Sequence, residues 1–135
     1  MKSKLQRCAL LARALAGDQR VFFDDRLKEL DFGRWEGLMW HDIAQTTEAR
    51  LFFEDFVNVP ALGGESYAQL IVRVKAFLND LVLKNENHVL IVTHGGPIRA
   101  FYTLIDGVNP ADVFQIKVDY GQAVVLTVDE SDAAT

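Results

Sequence analysis

"HVLIVTHGGPIRAF", residues 88 to 101, is the stretch on which the fold turns. Val89 to Val92 form a continuous apolar run, the pattern of a strand buried on both faces rather than one. Gly95 and Gly96 then turn the chain, and Pro97 suits the first position of a helix, where a missing N–H costs least. In sheets built from such strand–turn–helix units, ligands bind beyond the carboxyl ends of the strands. His94 falls at that end. The free N–H groups and dipole of the following helix favour an anion there. The two glycines admit a ligand close to the backbone. An imidazole, with an unperturbed pKa of ~6.5, either donates to an anion or carries positive charge beside it. A loop histidine bonded to a neighbouring carbonyl fits the same residues, so the rest of the chain must decide.

Working outward, "SYAQLIVRVKAFLNDLVLK", residues 66 to 84, is the clearest helix. Ser66 followed by Gln69 makes a capping box. Tyr67, Leu70, Ile71, Val74, Phe77, Leu78, Leu81 and Val82 form one apolar stripe. Residues 46 to 59 read as a further helix, ended by Pro60 and "LGG". An opening amphipathic helix carries Leu5, Cys8, Ala9, Ala12, Leu15 and Ala16 on one face. "RVFFDDRL" is expected to be a short strand, and "VFQIKV" and "AVVLTV" a closing antiparallel pair. Helices alternating with strands predict an α/β fold, its helices covering a largely parallel sheet.

The 135 residues suit a single domain, residues 1–135, with a net charge of −5. That charge argues against a nucleic-acid binder, which needs a basic patch. It leaves room for a small phosphorylated ligand held by a few arginines. One cysteine excludes an internal disulfide and fits a reducing, cytoplasmic setting. With three scattered histidines it offers no zinc spacing. No run approaches the ~20 apolar residues of a membrane span.

"KELDFGRWEGLMW", residues 28 to 40, has neither helical nor strand period and reads as a loop rich in acids and aromatics. A carboxyl group against aromatic surface has its charged form disfavoured, which suits a general acid. For Asp31 and Glu36, solvated acids on a loop anchored by its aromatics is the preferred reading.

Taken in order, "SKLQRCALLARAL", "LKELDFGRWEG", "GGESYAQLIVRV" and "VLIVTHGGPIRAF" make the chain resemble the histidine phosphatase superfamily, the phosphoglycerate mutase-like group. Within it the chain looks most like the α-ribazole phosphatases. The resemblance implies a three-layer α/β/α sheet and phosphomonoester hydrolysis through a phosphohistidine, with no metal and no cofactor. It implies that Arg7 contacts the phosphoryl group and that Glu29 protonates the leaving oxygen. It makes His94 the second histidine, which braces the phosphoryl group, with the Gly95 backbone close by.

One departure stands out. Members of this family open with a strand ending in an arginine–histidine–glycine triplet, whose histidine attacks phosphorus, and this sequence contains no such triplet. His41 and His88 lack the strand-to-turn setting to replace it. The expectation is therefore a truncated domain without the family's first two strands, binding phosphate weakly and inactive alone. A dimer partner or a complementing fragment would fill the missing strands. A non-catalytic pseudo-phosphatase is the alternative, and a phosphoglycerate mutase ranks third for want of an insertion to enclose a bisphosphorylated cofactor. Trp40, Phe56 and Tyr67 are candidates for the leaving-group side.

Overall fold

The computed structural model describes residues 2–17, 21–84, 88–119 and 122–128, and of residues 2–7 and 9 only the backbone. The helices are α1 (Lys2–Ala16), α2 (Trp40–Ile43), α3 (Thr47–Glu54), α4 (Tyr67–Leu83) and α5 (Gly95–Asp106). Short 3₁₀ turns lie at Asp25–Leu27, Gly33–Trp35 and Pro110–Gln115.

The centre of the fold is α4 against α5. The capping box forms as its sequence requires. Ser66 Oγ accepts from the Gln69 amide at 3.2 Å, and the Gln69 side chain accepts from the Ser66 amide at 2.8 Å. Tyr67, Leu70, Val74 and Leu78 are buried at helical spacing. From α5 they meet Pro97, Ala100 and Phe101, with Phe77 and Phe101 edge to face at 6.3 Å. Removing Leu70, Val74 or Leu78 from water is worth about 1.5–3 kcal/mol each. Gly107, at φ +72°, ends α5 in the left-handed conformation that glycine adopts without a Cβ clash.

A second group of side chains gathers under the 28–40 loop. Trp35 stands edge-on to Phe52 at 5.4 Å, and Leu30 and Ile43 complete the patch. Thr46 caps α3 by accepting from the Ala49 amide at 3.2 Å. The loop is tied to residues 61–65 by backbone bonds, Arg34 N–H to Leu62 carbonyl and Glu65 N–H to Asp31 carbonyl, both 2.8 Å. Glycine is required at this crossing. Gly33 has φ +57°, and a Cβ on it would strike the backbone of Leu62 and Gly63. A Cβ on Gly64 would strike the backbone of Asp31 and lie 2.7 Å from the Gly33 nitrogen.

The expected sheet is not seen among the described residues. Among the described residues there is no β-strand, so the three-layer α/β/α arrangement is absent from them. Residues 88–94 have no regular structure, and no backbone hydrogen bond joins 88–93 to another described segment. Strand pairing is a property of two segments, and apolar patterning in one cannot supply the other. Val89 and Leu90 are exposed as a result. "RVFFDDRL" becomes a 3₁₀ turn over its last residues, and "VFQIKV" begins inside the Pro110–Gln115 turn. Residues 123–128 have no regular structure, and Tyr120 and Gly121 lie outside the described residues. The helix expected over 46–59 stops at Glu54, five residues short of Val59. No helix among the described residues is long and apolar enough to cross a membrane.

Urea unfolding should place Ser66→Ala about 1 kcal/mol below the parent, the usual cost of losing an N-cap. Gly64→Ala should cost more, because its Cβ meets backbone that cannot swing aside. Equal stabilities would contradict the glycine crossing.

Candidate functional site

Three segments distant in sequence meet at the first turn of α5. His94 is the N-cap, in extended conformation at φ −111° and ψ 170°, and Gly95 and Gly96 are the first helical residues. The helix thus begins two residues before Pro97, which is buried in its first turn rather than opening it. The Gly96 N–H donates to Glu29 Oε1 at 3.0 Å, bridging 67 residues of sequence. The same oxygen accepts from the Leu30 amide at 2.8 Å. A Cβ on Gly96 would fall on that oxygen and 3.2 Å from a Leu70 methyl, so only glycine admits the carboxylate.

The free helix terminus expected for an anion is therefore partly filled by the protein's own carboxylate. Pro97 has no N–H, and Ile98 N–H returns to the His94 carbonyl at 3.1 Å. Gly95 keeps the first-turn N–H that no described residue engages. Glu29 Oε2 makes no hydrogen bond among the described residues.

Arg73 of α4 fixes the strip of chain that carries Glu29. Its guanidinium donates to the Glu29 carbonyl at 3.0 Å and the Arg26 carbonyl at 2.6 Å. It is also paired two-pronged with the Glu65 carboxylate at 2.8 and 3.0 Å. Such bidentate pairs combine charge with fixed geometry. Arg26 is itself held by Asp24 and Asp80, and its guanidinium keeps the Asp24 carboxyl below the usual carboxylate range. Thr93 Oγ1 donates to the Leu27 carbonyl at 2.6 Å, tying the residue before His94 to the same strip.

Cys8 brings α1 to the site. Its Sγ lies 3.6 Å from His94 Nδ1 and 3.5 Å from the Thr93 carbonyl. The side chain of Arg7 lies outside the described residues. Of the sequence candidates, Glu29, His94 and Gly95 thus share one helix terminus. Asp31 and Glu36 do not join them: Asp31 accepts from the Gly33 amide at 2.8 Å and Glu36 from the Phe32 amide at 3.4 Å. His41 lies beside Gln45 on α2, and His88 is exposed. Trp40 packs on Phe32 and Phe53, whereas Phe56 and Tyr67 pair at 5.9 Å. Tyr67 hydrogen-bonds Thr103 at 3.1 Å, and burial pushes its phenol up. Sequence reading missed Arg73, Thr93 and Cys8 as supports. Arg73 carried the one available signal, a charge placed just off an otherwise apolar stripe.

Residues 1–135 match the histidine phosphatase superfamily, branch 1. The chain belongs to that superfamily. Among curated relatives, Phosphoserine phosphatase 1 of Hydrogenobacter thermophilus is 30% identical over 133 residues, 95% of this chain and 63% of its own length. The metal-independent phosphoserine phosphatase of Arabidopsis thaliana is 36% identical over 90 residues, 63% of this chain and 37% of its own. The alpha-ribazole phosphatase of Shigella flexneri superposes with a TM-score of 0.73 at 25% identity, covering 84% of this chain and 59% of that one. The mycobacterial glucosyl-3-phosphoglycerate phosphatase, solved with inorganic phosphate, gives 0.64 at 26% identity over 81% and 57%. The chain spans 63% and 56% of the first two curated relatives. The histidine phosphatase fold is therefore shared over most of this chain, although the described residues pair no strands.

Gly95→Ala and Gly96→Ala should separate at the start of α5. Alanine at 95 meets only the end of the Arg99 side chain and should be near neutral. Alanine at 96 must expel the Glu29 oxygen, losing two hydrogen bonds to a carboxyl group against a modest helix-propensity gain. A net cost of about 1–2 kcal/mol in thermal or urea unfolding is expected. The reverse order would contradict the Glu29–Gly96 contact.

Proposed function

We propose that the chain is the greater part of a phosphomonoesterase that works through a phosphohistidine on a small phosphorylated metabolite. The observation that carries this reading is the meeting of Glu29 with the helix turn capped by His94, within a histidine phosphatase. The phosphoryl group sits against the His94 ring and the Gly95 N–H, with Arg7 as a further contact. Glu29 gives its proton to the departing oxygen, which lets a poor leaving group depart as an alcohol. The attacking histidine of an arginine–histidine–glycine triplet is not in this sequence. Covalent catalysis splits the displacement into phosphoryl transfer and hydrolysis, so without that histidine little turnover is expected.

The same missing partner accounts for the unpaired 88–93 segment. Added strands beside it would complete the three-layer α/β/α sheet and cover Val89 and Leu90. A cytoplasmic setting and completion of the sheet by a fragment or a second chain are parts of this proposal. The printed names of the relatives, phosphatases of phosphoserine, α-ribazole and glucosyl-3-phosphoglycerate, support a small phosphomonoester as the substrate class. The absent arginine–histidine–glycine triplet favours a second reading, a phosphate-binding pseudo-phosphatase.

Hydrolysis of p-nitrophenyl phosphate separates the two. The 135-residue chain should turn over little, and a form extended to include a nucleophile-bearing upstream segment should be active. In that form His94→Ala should lose orders of magnitude in kcat. Activity of the short chain, or an inert extended form, would contradict the proposal.

A further inference from the structure

His94 is held from two directions. Its backbone caps α5, while its ring is reached from a different element, α1, through Cys8. The two residues are 86 positions apart, so nothing local brings them together. The half-buried thiol makes two contacts there. Its Sγ lies 3.5 Å from the Thr93 carbonyl oxygen and 3.6 Å from His94 Nδ1. A thiol is a weak donor and a weak acceptor, and here it is placed to be both.

The two contacts decide where the hydrogens go. The Thr93 carbonyl can only accept, so the S–H donates to it. With its one hydrogen committed, Sγ presents a lone pair to the ring, and Nδ1–H donates to it. The opposite tautomer makes one hydrogen bond where this one makes two. In it the S–H turns to Nδ1, and the Thr93 oxygen faces a sulfur lone pair. Away from bulk water the arrangement that satisfies both contacts wins. Thr93 is itself anchored, because its Oγ1 donates to the Leu27 carbonyl at 2.6 Å.

We infer that Cys8 is a positioning residue whose thiol fixes His94 as the Nδ1–H tautomer, so that Nε2 carries the lone pair. The inference rests on the proposed phosphoryl site at His94. Which ring nitrogen holds the proton is set by the hydrogen bond that the other makes. In this tautomer Nε2 meets a phosphoryl group as an acceptor, and the hydrogen between them belongs to the ligand. A P–OH group donates to Nε2. On full transfer the O–H bond breaks, an N–H bond forms at Nε2, and the phosphoryl oxygen keeps the electron pair. The resulting imidazolium still donates from Nδ1 to Sγ. Cys8 forms no bond to phosphorus and acts only through the ring.

Long-range proton–nitrogen NMR of the 135-residue chain reads the tautomer on the neutral ring and needs no substitution. The parent is expected to show a protonated Nδ1 and an unprotonated Nε2 at His94. Cys8→Ser, which keeps a donor and an acceptor, should retain that pattern. Cys8→Ala should lose it, moving both nitrogens toward the average of the two tautomers. Saturating inorganic phosphate should carry the parent's Nε2 toward the protonated position, and that shift should shrink in Cys8→Ala. A parent with its hydrogen at Nε2, or a Cys8→Ala chain with the parent's pattern, would overturn the role of Cys8 and leave the phosphoryl site standing. If the tautomer is as expected but the His94 nitrogens ignore inorganic phosphate, the phosphoryl site fails and the positioning role fails with it.

Discussion

The hydrogen bond from the Gly96 amide to Glu29 is the contact on which the site depends. It joins a loop from the first third of the chain to the helix that His94 caps, and it exists only because residue 96 has no Cβ. A carboxylate cannot be left free to find such a position, so its backbone is fixed independently. Arg73 does this by holding the Arg26 and Glu29 carbonyls while its charge is balanced by Glu65. The bond from Thr93 to Leu27 repeats the restraint one residue before His94. The glycine crossing at 33 and 64 closes the same loop from its far side. Packing of α4 on α5 then places both ends of this network on one rigid pair of helices.

The consequence for chemistry is that the helix terminus is not an open anion hole. Glu29 already occupies one of its donors, and the proline removes another. Within one turn of it stand the Gly95 amide, the His94 ring with Cys8 beside its Nδ1, and the second oxygen of Glu29. An acid group, a histidine and a backbone donor at such close quarters suit phosphoryl transfer better than simple anion storage, since storage gains nothing from a competing carboxylate.

Much of this was legible in the sequence because it was written locally. The capping box at Ser66 and Gln69 and the apolar stripe of α4 depend on residues a few positions apart, and both appear as read, whereas α3 ends at Glu54, well before Pro60. The four ordered motifs carried the association of Glu29 with His94, which no local rule contains. The strands were not legible in the same way. The run from Val89 to Val92 has the composition of a buried strand, yet pairing needs a neighbour that the described residues do not provide. The start of α5 at Gly95 rather than Pro97 reflects His94 taking the cap, which propensity alone does not specify.

Amide-resolved NMR during titration with inorganic phosphate is the most direct test of where the phosphoryl group goes. Shifts centred on the amides of His94, Gly95 and Gly96, and carried to Leu30 through the shared oxygen of Glu29, are expected. Shifts confined to other surfaces, with these four amides unmoved, would show that the meeting of Glu29 and His94 is a structural joint and not a phosphoryl site.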